Sequence, residues 1–338
     1  MQTRFAQFVL ERECRLAMPI GVYAGLEMTG ASVRAAVTDA QAQSEAVLAL
    51  HERLNTSVML TAMDLSAEAE TFGCEIRMSD DEIPTVIGRR AVSQSDIDAL
   101  PTPRPGDVRT SVHLDVARKL VQSSQGTPVL GGVIGPFSLA GRIFGVSEAL
   151  EATASDPDLV VSLLEKTTRF LTDYALAFRE TGAMGIIMAE PAAGLLSPRG
   201  LRNFSARFVK QIVDAVQTPD FTVILHNCGA KIAHLSNVLE SGASIYHFGA
   251  PMDLPAALNQ VDENVILAGN LDPTAVFFSG TPESVQEQTT NLLQAAAGKK
   301  NFIISSGCDL PPGTSLKNLI SFYETVRQFD PELKQVCL

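Results

Sequence analysis

Val223-Ile224-Leu225-His226-Asn227-Cys228-Gly229 decides how this chain is read. Its apolar run has the length and character of a short buried strand. Where the strand should end, His226 and Cys228 stand two positions apart, and in extended backbone residues i and i+2 face the same way. Phe302-Ile303-Ile304-Ser305-Ser306-Gly307-Cys308-Asp309 repeats the layout, delivering a second cysteine at a second strand end. One imidazole and two thiols make a donor set suited to zinc. Three protein ligands leave a fourth tetrahedral position open, which separates a catalytic zinc from a structural one.

Working outward, apolar runs at 19–23, 58–62, 129–134, 185–189, 244–248 and 265–268 join these two to make eight expected strands. Helical patterns lie between them, at about 32–54, 110–124 and 156–181, the last opened by Asp156-Pro157 as N-cap and first turn. Others begin at Ser197-Pro198, near 231, near Leu254 and at Thr281-Pro282, with one more after Cys308. Alternating strands and helices predict parallel strands joined by right-handed crossovers. Eight of them fit a closed (β/α)8 TIM barrel of the α/β class better than the alternative, a doubly wound open sheet. No long polar or Pro/Ser-rich linker interrupts 1–338, so one barrel domain is expected. The proline-bearing stretch 73–105, with Asp80-Asp81, reads as an N-terminal excursion or lid.

Composition narrows the function classes. A formal charge of −12 argues against a phosphate-backbone partner, so no nucleic acid is expected. No run of 18 apolar residues occurs, and no membrane span is expected. The start, Met1-Gln2-Thr3-Arg4-Phe5-Ala6-Gln7-Phe8, lacks the apolar core of a signal peptide. Five cysteines at irregular spacing do not form a disulfide framework. A reduced cytoplasmic enzyme is the expectation.

A barrel collects its chemistry at the C-terminal ends of its strands. There the sequence places Asp64, Glu190, His226, Cys228, His247, Asn270, Asp272, Cys308 and Asp309. Glu190 reads equally as a cap for the next segment or as a fourth metal ligand. Asp64 and Asp272 read as site carboxylates or as helix N-caps. His247 reads as a core or pocket histidine rather than a ligand. His51, His113 and His234 sit in helical sequence and read as surface or packing residues. Cys14, Cys74 and Cys337 read as small hydrophobes.

Four segments then make a family resemblance visible: His226-Asn227-Cys228-Gly229, Gly269-Asn270-Leu271-Asp272-Pro273, Gly280-Thr281-Pro282-Glu283 and Gly307-Cys308-Asp309-Leu310-Pro311-Pro312. With Gly135-Pro136-Phe137 and Ala67-Glu68-Ala69-Glu70, they resemble the uroporphyrinogen decarboxylase superfamily. The likeness is greater to its zinc-dependent branch, the methylcobalamin:coenzyme M and related corrinoid methyltransferases. It spans nearly the whole chain. It implies a barrel with Zn2+ held by His226, Cys228 and Cys308. It further implies methyl transfer from methylcobalamin, carried on a small corrinoid protein, to a zinc-bound thiol such as coenzyme M. Asp64, Glu190 and Asn270 are the candidates for orienting the acceptor. Two departures stand out: Glu190 occupies a position where the branch often has Asp, and Lys317 one where it often has Glu. The alternatives are tetrapyrrole decarboxylation, methyl transfer to homocysteine or a folate, and a closed structural zinc clip. Decarboxylation is the weaker of these, because Arg12 and Arg15 do not sit in the decarboxylases' arginine-rich motif.

Overall fold

Residues two apart on a strand share a face, and that alternation sorts the apolar residues into two cores. The computed structural model describes residues 2–12 and 15–329. Its strands are β1 (Met59–Leu60), β2 (Glu75–Arg77), β3 (Thr85–Ile87), β4 (Val129–Ile134), β5 (Gly185–Ala189), β6 (Thr222–Asn227), β7 (Ile245–Phe248), β8 (Ile266–Leu271) and β9 (Phe302–Ser306). Seven form one parallel sheet in the order β1-β4-β5-β6-β7-β8-β9, with helices between successive strands. The sheet curls into a TIM-barrel-like (β/α) fold.

Leu130, Ile187, Ile224, Ile245, Ile266 and Ile303 pack together inside the curl, with Leu16, Met18 and Ile20 closing that cluster. The opposite faces of the same strands carry Ile186, Met188, Val223, Leu225, Phe248 and Phe302, which pack under the helices. A strand buried on both faces needs a continuous apolar run rather than an alternating one, which is why these segments were legible. Continuing the inward parity, Ile224 leads to His226, Ile245 to His247 and Ile303 to Ser305. The interior therefore turns from aliphatic to polar toward the strand ends.

The expected strand at 19–23 is not one. Ala17 makes a single parallel bridge to Ile304, with Met18 N–H donating to the Ile304 carbonyl (2.9 Å). Pro19 has no N–H to extend such a ladder, and the chain turns into the single 3-10 turn Val22–Gly25. The sheet therefore has seven strands rather than eight. The expected helix at 32–54 is two, Val33–Thr38 and Ala40–Leu54. Asp39 divides them: its backbone is extended, and its side chain accepts from Gln41 N–H as the cap of the second helix.

Helices Thr110–Ser123, Pro157–Glu180, Pro282–Ala295 and Leu316–Phe329 match the expected stretches, and Asp156 accepts from Leu159 N–H as its cap reading requires. Within 73–105, β2 and β3 pair antiparallel as a separate two-stranded sheet, followed by the short helix Gln94–Asp98. Cys74 is buried; Cys14 and Cys337 lie outside the described residues. Among the described residues, no helix is long and apolar enough to cross a membrane.

Candidate metal centre

His226 sits at the fifth position of β6, where ladder bonds on both sides hold its backbone: it pairs with Ala189 on β5 and with His247 on β7. Cys228 follows just past the strand end. Cys308 comes from the far side of the sheet, two residues beyond β9. A nitrogen of His226 and the sulfurs of Cys228 and Cys308 all lie within 4.8 Å of one another. Among the described residues this is the one group of three or more potential ligands so arranged.

Two glycines allow the approach. A Cβ on Gly249 would stand 2.2 Å from the Cys228 carbonyl oxygen, and one on Gly307 would stand 2.8 Å from the Ala250 nitrogen. Both are tighter than any side chain tolerates, so these two backbone crossings require glycine. They bring the β6, β7 and β9 ends together.

The group carries open chemistry. Nε2 of His226 is buried with no hydrogen-bond partner among the described residues, although a buried polar atom ordinarily has one. The two cysteines are partly buried and free of disulfides. Each thiol's proximity to the other is the largest cause of a split that lowers Cys228 to about 7 and pushes Cys308 up to about 12. Both directions describe one shared proton: the pair releases its first proton easily and retains the second. Beside them, both carboxyl oxygens of Asp309 are buried without a hydrogen-bond partner among the described residues. Burial first, and the neighbouring Cys308 second, hold that carboxyl well above the usual range. An orphaned imidazole nitrogen and two thiols that share a proton fit a thiophilic divalent cation such as zinc.

The other strand-end residues are engaged elsewhere. Glu190 is fully buried, and the structure does not bring it into the His226, Cys228 and Cys308 group. Its oxygens accept from Phe137 N–H (2.9 Å), Ser138 N–H (2.9 Å), the Ser138 hydroxyl (2.6 Å) and the Ser205 hydroxyl (3.2 Å). It thus closes the N-terminus of helix Pro136–Phe144, where free N–H groups and the positive end of the dipole favour a carboxylate. Its Cγ fills the space over Gly135 that a Cβ would need. Asp64 is ion-paired to Arg109 and accepts from Ser66 N–H and the Ser66 hydroxyl. Asn270 donates to the carbonyls of Gly249 (3.1 Å) and Met252 (2.6 Å), tying down the loop after β7. Asp272 caps the turn that begins at Pro273.

Comparison with known proteins assigns the scaffold. The uroporphyrinogen decarboxylase (URO-D) family model matches residues 15–329. The chain belongs to that family. It is 31% identical over 319 residues to the Methanosarcina mazei protein named methylcobamide:CoM methyltransferase MtbA, covering 91% of each chain. The Methanosarcina acetivorans protein of the same name is 30% identical, with 90% of this chain and 89% of that one covered. A uroporphyrinogen decarboxylase from Prochlorococcus marinus is 31% identical over 205 residues, covering 58% of this chain and 57% of its own. Among solved structures, a methyltransferase from Methanosarcina mazei superposes with a TM-score of 0.87 at 21% identity, over 97% of this chain and 99% of that one. At that identity the likeness speaks to the fold alone.

In this URO-D family member a second buried polar group went unread in the sequence. Arg109 donates to Asp64, to Glu70 (2.6 Å) and to the Ser66 hydroxyl (2.9 Å). His113 lies 4.0 Å from Asp64 with both ring nitrogens unpartnered among the described residues, and burial lowers it to about 4. Burial likewise raises Glu68 to about 8. His113 reads as a packing residue from the helical pattern because nothing local shows that Asp64, 49 positions earlier, is its neighbour. Arg109 and Asp64 share the same obstacle. The Tyr23 hydroxyl, also buried and without a hydrogen-bond partner, stands beside an open cleft of about 530 Å³ that Glu27, Asp80 and Thr314 help to line.

Proposed function

We propose that this chain transfers a methyl group from methylcobalamin, delivered on a small corrinoid protein, to a thiol of the coenzyme M class. The reaction would take place at a zinc ion held by His226, Cys228 and Cys308. One observation carries the reading: two thiols and an orphaned imidazole nitrogen converge within 4.8 Å at the strand ends of the barrel. The named methyltransferase relatives support the reaction class, since they align over nine-tenths of the chain.

A zinc ion bound there would supply an open coordination position that favours the nucleophilic thiolate form of an acceptor. The protein's own part is positional. Cys228 and Cys308 supply two negative charges that balance the metal, and His226 adds a neutral donor. In the overall reaction the thiol proton goes to solvent and the acceptor sulfur forms a bond to the methyl carbon. The cobalt–carbon bond breaks with both electrons remaining on cobalt. The barrel wall holds donor and acceptor in line, and positioning of this kind is a large share of catalysis in such displacements. The Asp309 carboxyl, next to Cys308 and without a hydrogen-bond partner among the described residues, is assigned to meet the acceptor's polar end.

Decarboxylation of a tetrapyrrole fits less well. The decarboxylase relatives align over 58% to 70% of the chain, against nine-tenths for the methyltransferases. Arg15, outside any arginine-rich motif, donates to the Phe302 carbonyl (3.1 Å) and lies over the Phe302 ring. The test is anaerobic incubation of zinc-loaded protein with methylcobalamin and, separately, coenzyme M, homocysteine, simple thiols and tetrahydrofolate. Loss of methylcobalamin absorbance should depend on a thiol and be fastest with coenzyme M. Turnover of a porphyrinogen, with no demethylation by any acceptor even when a corrinoid protein is supplied, would replace this reading with the decarboxylase one.

A further inference from the structure

The contact between His226 and His247 has one self-consistent arrangement of protons. The Ser305 hydroxyl lies 2.6 Å from the Met18 carbonyl oxygen, which can only accept, so Ser305 donates there. A hydroxyl has one hydrogen to give. In the 2.8 Å contact between Ser305 Oγ and His247 Nε2, the histidine must therefore be the donor. The His247 ring is fully buried and no carboxylate hydrogen-bonds it, among the described residues, so it is neutral. A neutral imidazole carries its hydrogen on one nitrogen only. Nδ1 of His247 is then a bare acceptor, and Nδ1 of His226, 2.8 Å away, donates to it. In the neutral form of His226 the lone pair is left on Nε2, the atom without a hydrogen-bond partner.

The strands arrange this relay directly. His226 and His247 are laterally paired on β6 and β7, and their rings meet edge to face at 4.7 Å between centroids. On β8 the residue paired with His247 is Ala268, whose methyl leaves room for His247 to reach past it to Ser305 on β9.

We infer that His247 is a positioning residue: anchored through Ser305 to the Met18 carbonyl, it holds His226 in its Nδ1–H tautomer and aims the Nε2 lone pair at Cys228 and Cys308. The inference rests on reading His226 as the metal ligand proposed above. A second partner on a ligating imidazole ordinarily raises its metal affinity. Here that partner is a neutral ring rather than a carboxylate, so it orients the ligand without adding charge to a site already holding two thiols.

Long-range nitrogen–proton NMR on metal-free protein with labelled histidine reads the tautomer before any metal is involved, and competition with a chromophoric chelator reads zinc affinity. His226 should carry its proton on Nδ1 in the wild type and show a mixture of tautomers in His247→Leu, whose zinc affinity should fall about 10- to 100-fold. His247→Asn, able both to accept from His226 and to donate to Ser305, should recover most of that loss. Ser305→Ala leaves both rings in place, guards against a folding artefact, and should show a smaller loss with the same tautomer mixing. A wild-type proton on Nε2, or wild-type zinc affinity in both His247→Leu and Ser305→Ala, would overturn the inference. Methyl transfer is read separately: if no acceptor is methylated while the tautomer and affinity results hold, the proposed reaction falls and the role of His247 stands.

Discussion

Two buried polar groups occupy the strand ends of this barrel, and they differ in what they leave open. Around Arg109 the charges answer one another, since the guanidinium spans Asp64, Glu70 and Ser66 and Asp64 takes two further bonds from Ser66, while the neighbouring His113 nitrogens and one Glu68 oxygen have no partner among the described residues. Around Cys308 the polar atoms converge yet are not satisfied, with Nε2 of His226 and both oxygens of Asp309 lacking partners. Burying a polar atom without a partner costs roughly 1–3 kcal/mol. The first group is tied by ion pairs; the second sets an unpartnered imidazole nitrogen within 4.8 Å of two thiols, a donor set the first does not have.

That contrast breaks most readily at its open member. Cys308→Ala should reduce bound zinc to background and abolish methyl transfer while leaving the circular dichroism spectrum and urea midpoint near wild type. Zinc content and an anaerobic demethylation assay check this. Removing the cation of the closed group should do the reverse. Arg109→Met leaves the Asp64 charge buried without its partner, a loss expected at about 3–5 kcal/mol of stability, while zinc stoichiometry of the folded fraction stays at wild type. Urea unfolding beside metal analysis separates the two effects.

The closed group should also report on pH. Burial depresses His113 from 6.5 to about 4, so the unfolded chain takes up its proton first. The stabilisation from keeping this ring neutral is complete above pH 6.5 and is lost as pH falls toward 4. Comparing urea midpoints at pH 7 and pH 5, wild type should lose about 2 kcal/mol more than His113→Leu. A smaller effect is expected at Glu190. Glu190→Gln replaces one acceptor oxygen by a donor facing the N–H groups of Phe137 and Ser138, costing about 1–2 kcal/mol. Its zinc content should be unchanged, because the carboxylate closes a helix rather than joining the thiols.

Much of this architecture was legible because the strands are buried on both faces. Val223–Leu225 and Phe302–Ile304 announce themselves as apolar runs, and strand parity carries the reader from Ile224 to His226 to Cys228. The ends of such runs, read for metal donors, yield the three residues that the structure brings within 4.8 Å. What the sequence concealed is pairing across distance. Pro19 ends the first ladder after one bridge, a consequence visible only once Ala17 is seen beside Ile304. Asp39 divides one helical pattern by taking an extended backbone conformation inside it. Glu190 and Asp64 share the strand-end position of the thiols, yet helix N–H groups and an arginine 45 residues downstream engage them. His247 reads in the sequence as a core or pocket histidine, and the register of β6 against β7 sets it beside His226.

The central claim is that His226, Cys228 and Cys308 hold one zinc ion that methyl transfer requires. The most direct measurement strips the purified protein with a chelator, restores zinc in steps, and follows methylcobalamin demethylation with coenzyme M at each step. The account predicts that activity rises linearly to a plateau at one zinc per chain, and that Cys308→Ala shows neither binding nor activity. Equal demethylation by stripped protein, or by Cys308→Ala, would contradict it.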